Sequence, residues 1–138
     1  MTMFAIPEGT RRYAGRFAKR AAEGHFRELP GLCGGLAVSS LGIGTYLGNP
    51  DAATDAAYTE AVVAAVESGI NVIDTAINYR FQRSERSIRD ALVELARRGF
   101  ARDEIVVCTK GGYLTPDGQM PADPNEYFFN EYIQKGVL

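Results

Sequence analysis

The segment Gly69-Ile-Asn-Val-Ile-Asp74-Thr-Ala-Ile-Asn-Tyr79 moves from a helix stop through a short apolar run into a polar loop. Gly69 suits the left-handed residue just past a helix. Ile70–Asp74 then reads as a strand, with Ile70, Val72 and Ile73 as its apolar members. Upstream, Tyr58, Ala61, Val62, Ala65 and Val66 fall at i, i+3, i+4, i+7 and i+8 and predict one apolar helix stripe. Asn49-Pro50-Asp51 opens that helix, and Leu41-Gly-Ile-Gly-Thr45 before it reads as a strand whose glycines permit close backbone approach.

Downstream the pattern repeats. Ser84 is placed to cap a helix whose Glu85 favours the positive helix start. Ile88, Ala91, Leu92, Leu95 and Ala96 repeat the apolar spacing, and Gly99 closes it. Ile105-Val-Val-Cys108 is a continuous apolar run of the kind buried on both faces of a parallel sheet, so Cys108 is expected in the core. Strand, helix, strand, helix, strand makes two successive βαβ units. Phe26–Leu29 and Leu36–Ser39, around a glycine-rich turn, predict a hairpin ahead of them. After Lys110, glycines and prolines spell a long loop, with a short helical turn expected within Glu126–Lys135.

Residues 1–25 carry Arg11, Arg12, Arg16, Lys19 and Arg20 and are expected to form a basic, frayed and flexible arm ahead of a domain spanning 26–138. The 138 residues carry a net charge of −2, with 46% hydrophobic and 23% charged side chains. That composition suits one globular domain and excludes wholesale disorder. No run approaches the roughly 20 apolar residues of a membrane span, and the N-terminus lacks the layout of a secretory signal. Two cysteines without a CxxC indicate neither a disulfide framework nor a zinc site, and the one histidine, His25, weakens any metal reading. The expected setting is the cytoplasm, with no membrane and no nucleic acid as partner.

Active sites of parallel α/β sheets lie at the carboxyl ends of strands. Asp74 ends one strand and Lys110 ends the next, so equivalent end positions place carboxylate and ammonium within ion-pair reach. Tyr79 lies in the loop above. A positive charge beside a phenol favours the phenolate, so the trio suits proton donation, with Asp74 orienting Lys110. The residue types alone leave a purely structural salt bridge equally open.

The quoted segment, with Ser84-Glu85 after it, resembles the aldo-keto reductases, as do Leu41-Gly-Ile-Gly-Thr45-Tyr46 and Val107-Cys-Thr-Lys110-Gly-Gly in the same order. The likeness covers about residues 26–114. It implies a (β/α)₈ TIM barrel with an N-terminal hairpin, of which this chain holds the first three βα strands. It also implies NADPH-dependent reduction of small-molecule carbonyls. By position, Tyr79 matches the catalytic acid, Lys110 the neighbour that lowers its pKa, and Asp74 the lysine's partner. Gly44, Thr45, Tyr46 and Asp74 match positions near the cofactor's nicotinamide end.

The family pattern also carries a histidine at the end of the fourth strand, and no histidine follows His25. A barrel of this type takes about 250 residues, and the strands that carry most phosphate and adenine contacts are not in this sequence. A poor or absent reductase activity is therefore expected of the isolated chain, with open sheet edges inviting self-association. The alternative is a truncated, non-catalytic paralogue acting through such association. Tyr113, Tyr127, Phe128, Phe129 and Tyr132 are expected to pack an insertion rather than line a substrate mouth.

Overall fold

The computed structural model describes residues 3–31 and 34–138. Helix α1 (Pro7–Phe17) leads, followed by β1 (Phe26–Leu29) and β2 (Leu36–Ser39). Then come β3 (Gly42–Gly44), α2 (Ala52–Glu67), β4 (Val72–Asp74), α3 (Arg83–Arg97) and β5 (Val106–Cys108). A short α4 (Pro124–Phe128) runs into a π-helical turn at Phe129–Ile133. The strands form an antiparallel hairpin, β1–β2, and an open parallel sheet in the order β3-β4-β5. This is an α/β architecture with open sheets. Cys33 lies outside the described residues.

Local chemistry explains these elements. The Asp51 carboxylate accepts from the Thr54 N–H at 2.7 Å and caps α2. Alanines fill that helix, and Gly69 ends it at φ +100°. The buried residues of α2 are Val62, Val63 and Val66, so the stripe is rotated to include Val63 and leaves Ala61 exposed. In α3 the buried apolar side chains are Ile88, Ala91 and Leu95. They join Ile73, Ile105 and the α2 valines in one core.

The frayed arm expected at the N-terminus is instead a packed helix over residues 7–17. Tyr13 and Phe17, one turn apart, are buried in that core. The Tyr13 hydroxyl donates to the Val66 carbonyl. Its arginines are paired although still partly exposed: Arg12 and Arg16 both reach the fully buried Glu104 carboxylate at 2.9 Å. The Gly9 backbone lies against Asp103, where an added Cβ would come within 2.3 Å of the carbonyl oxygen.

Asn71 locks the hairpin to the amino end of the parallel sheet. Its buried side chain accepts from the Ser39 N–H at 2.8 Å and donates to the carbonyls of Ala37 (2.9 Å) and Glu104 (3.3 Å). His25 spans the same end, half-buried, with Nε2 donating to the Gly69 carbonyl at 3.0 Å and Nδ1 3.1 Å from the Ser40 hydroxyl. The hairpin end and the carboxyl end of the sheet are therefore opposite.

Three further expectations are corrected. Cys108 is exposed, not core, because β5 is the outer strand and its last residue stands at the sheet mouth. Ser84 does not cap α3. Gln82 occupies the cap position in a left-handed conformation, and Ser84 is buried as the second residue of the helix. The strands at 42–44, 72–74 and 106–108 are shorter than the apolar runs that announced them.

Candidate active site

Strand register builds the site. Gly44, Asp74 and Cys108 are level across β3, β4 and β5. Pairing continues past the strands: the Thr75 N–H donates to the Cys108 carbonyl at 2.9 Å, and the Ile77 N–H to the Lys110 carbonyl at 3.1 Å. This holds Lys110 directly over the end of β4. Its ammonium donates to both Asp74 carboxylate oxygens (2.8 and 2.9 Å), to the Thr75 carbonyl (2.8 Å) and to the Tyr79 hydroxyl (3.3 Å).

Hydrogen bonding to Asp74 raises the Lys110 pKa above the ordinary lysine value; desolvation opposes this and the bond to Tyr79 adds to it. The ammonium is thus charged throughout the neutral range. Both partners of the ion pair are about half exposed, 50% and 48%, and pairs of that kind add little to stability.

Tyr46, on the loop after β3, sets its ring edge-on to Tyr79 with centroids 5.1 Å apart. Gly44 is exposed, and no atom lies within 4 Å of where its Cβ would be. Thr45 differs from these two: it is fully buried. Its hydroxyl lies 3.1 Å from the Asp74 carbonyl and 2.9 Å from the Thr75 hydroxyl, and its carbonyl accepts from Ser84 Oγ at 2.6 Å. Thr45 braces the site from below, while Gly44 and Tyr46 face the open mouth.

Directly after Tyr79, three residues in a row are left-handed: Arg80 (φ 51°), Phe81 (φ 55°) and Gln82 (φ 69°). Residues with a Cβ pay roughly 1–2 kcal/mol each in that region, so the turn needs outside support. The loop after Lys110 supplies some. The Gly118 N–H donates to the Phe81 carbonyl at 2.9 Å, and Arg86 pairs with Asp117 at 2.6 Å. Nothing in the sequence marks this turn, since the glycine or asparagine that usually signals left-handed backbone is missing. Of the five aromatics beyond Lys110, Tyr127, Phe128 and Tyr132 pack on one another, and Tyr132 bonds to the Thr115 carbonyl. Tyr113 and Phe129 are exposed.

Among the described residues, no group of three His, Cys, Asp or Glu side chains is placed to hold a metal ion. No helix among them is long and apolar enough to cross a membrane.

A carboxylate, an ammonium and a phenol are joined at the mouth of a parallel α/β sheet, an arrangement with the chemistry to move a proton. Residues 40–136, more than half of the chain, match the Aldo/keto reductase family, and the chain belongs to that family. No curated protein and no solved structure matches it. The family comprises oxidoreductases that act on small-molecule carbonyls and generally use NAD(P)H. The residues at the mouth fit the nicotinamide end of such a cofactor. Gly44 leaves room for close approach, Tyr46 offers an exposed ring, and Lys110 and Tyr79 direct polar atoms to the same opening.

Proposed function

We propose that this chain carries the proton-donating half of an NADPH-dependent carbonyl reductase and forms the N-terminal part of a (β/α)₈ barrel acting in the cytoplasm. The carrying observation is the Lys110 ammonium, which touches both the Asp74 carboxylate and the Tyr79 hydroxyl. An exposed ion pair has little stabilising value, so its link to a phenol is better accounted for by chemistry than by fold. Tyr79 protonates the carbonyl oxygen as negative charge develops there. Lys110 stabilises the phenolate left behind, and Asp74 keeps Lys110 oriented. Gly44 and Tyr46 shape the surface for the nicotinamide, and Thr45 fixes the strand ends beneath it. A bound NADPH supplies the hydride.

Tyr79→Phe removes the one proton the mechanism needs. Carbonyl reduction, followed by NADPH absorbance, should fall about 10²–10⁴-fold. NADPH binding by fluorescence should stay within a small factor. Near-normal turnover in the variant removes Tyr79 from the acid position.

A second reading rests on a different observation. Between α3 and the free edge of β5 runs an apolar groove of about 430 Å³, lined by Leu92, Val93, Phe100, Ile105 and Val107. Glu85 lies toward one end and Arg102 toward the other. An apolar groove flanked by one acidic and one basic side chain offers complementary charges to a second copy of the chain, which is the occupant this reading proposes. This corresponds to a non-catalytic protein that acts through self-association.

A further inference from the structure

Arg80 follows Tyr79, yet its guanidinium is spent elsewhere. The side chain is only 1% exposed. Nε donates to the Asn49 carbonyl at 2.9 Å, and Nη2 donates to the Asp51 carbonyl at 3.3 Å and to Asp55 Oδ1 at 2.6 Å. Asn49 and Asp51 belong to the loop between β3 and α2, the loop that carries Tyr46. Asp55 is held on its other oxygen by Arg83, at 2.6 Å. Arg80 Nη1 is buried without a hydrogen-bond partner, and the guanidinium lies over the Tyr58 ring at 5.1 Å. Tyr58 in turn donates to the Leu47 carbonyl of that same loop at 2.7 Å.

Burying a guanidinium with one nitrogen unpaired is costly, and so is the left-handed backbone that aims it inward. Salt bridging between α2 and α3 does not explain the expense, because Arg83 already reaches Asp55 from an ordinary helical position. What Arg80 alone provides is a link from the residue next to Tyr79 to two carbonyls of the Tyr46 loop. Only a planar, multi-donor fork can make those contacts together.

We propose that Arg80 is a positioning residue: it holds the Tyr46 loop against Tyr79, so that the two rings keep their edge-on contact and the Tyr79 hydroxyl keeps its direction toward the mouth. For catalysis the inference rests on Tyr79 being the acid; for geometry it does not. Fixing the Tyr46 loop limits the directions from which a carbonyl can approach the phenol, which is where small displacements are expensive in rate.

The test uses the whole 138-residue chain with isotope-labelled tyrosines. Ring signals of Tyr46 and Tyr79 are assigned by their loss in Tyr46→Phe and Tyr79→Phe. Cross-relaxation between the two rings is then compared in wild type, Arg80→Met and Arg80→Lys. The expected result is that Arg80→Met loses the ring-to-ring signal while core amides of Ile73, Val66 and Leu95 keep their shifts. Arg80→Lys, whose single ammonium cannot reach two carbonyls and Asp55 together, should recover only part of it. Where turnover is measurable, kcat should fall at least about tenfold. If Arg80→Met does not fold, Arg80→Lys carries the same readout. An undiminished ring-to-ring signal in a folded Arg80 variant overturns the proposal. Normal reduction by Tyr79→Phe would instead sink the acid assignment and leave the ring measurement to decide the positioning.

Discussion

The Lys110 ammonium has three protons and four oxygens around it, two of them from Asp74. A cation whose pKa rises on folding stabilises the folded chain at every pH below its unfolded value, about 10.4 for lysine. That contribution disappears as pH climbs through the raised folded value. The site is therefore insensitive to lysine ionisation across the neutral range, and its alkaline limit lies above the ordinary lysine value. A ¹⁵N NMR titration of lysine Nζ should show Lys110 titrating late, with Asp74→Asn moving it back down because Asp74 is the leading cause. A Lys110 curve indifferent to that substitution assigns the shift elsewhere. Asp74 and Lys110 were readable from sequence because neighbouring parallel strands bring their ends together. Lys110 nonetheless lies two residues beyond Cys108, the residue level with Asp74, and reaches Asp74 through the pairing that continues past the strands. Arg80 was not readable, since its conformation contradicts what its residue type ordinarily adopts. Thr45 was half readable: its place at the strand end was evident, but not that its hydroxyl turns inward.

Among the elements, α1 shows how a charge run can mislead. Its basic residues are prominent in the sequence, whereas the signals that matter are Pro7 at the helix start and the Tyr13–Phe17 pair. The carboxylates that neutralise it lie far along the chain, so no local window reveals them. By contrast the β1–β2 hairpin, α2 and α3 were legible from turn residues and apolar spacing, because those cues act within a few residues. Two glycines in α1 allow a paired test. Gly15 is exposed with no atom within 4 Å of its would-be Cβ, so Gly15→Ala should stabilise by about 0.5–1 kcal/mol through helix propensity alone. Gly9→Ala gains the same propensity but drives a methyl into the Asp103 backbone. Backbone cannot swing aside as a side-chain tip can, so Gly9→Ala should lower the urea midpoint while Gly15→Ala raises it. Equal effects from the two would mean that α1 is not seated as described.

Across the whole molecule, the hairpin and the candidate site lie at opposite ends of the parallel sheet, and the β5 flank carries the apolar groove. If the second-copy reading holds, light scattering should show mass rising with concentration, and Val93→Lys on the exposed face of α3 should hold the chain monomeric. A wild-type chain that stays monomeric at all accessible concentrations removes that reading without touching the site.

The clasp between α1 and Glu104 also sets an order of events in folding. Arg12 and Arg16 lie 92 and 88 residues before Glu104, whereas Lys110 lies 36 after Asp74 and 31 after Tyr79. Shorter loops close at lower entropic cost, so the βαβ contacts are expected to close before the clasp between α1 and Glu104. Until Glu104 is in place, Arg12 and Arg16 lack the buried carboxylate that they share. Contacts formed that late leave their mark on the rate of unfolding rather than of folding. On that order Glu104 is the latch whose loss, in Glu104→Gln, should quicken unfolding more than it slows folding.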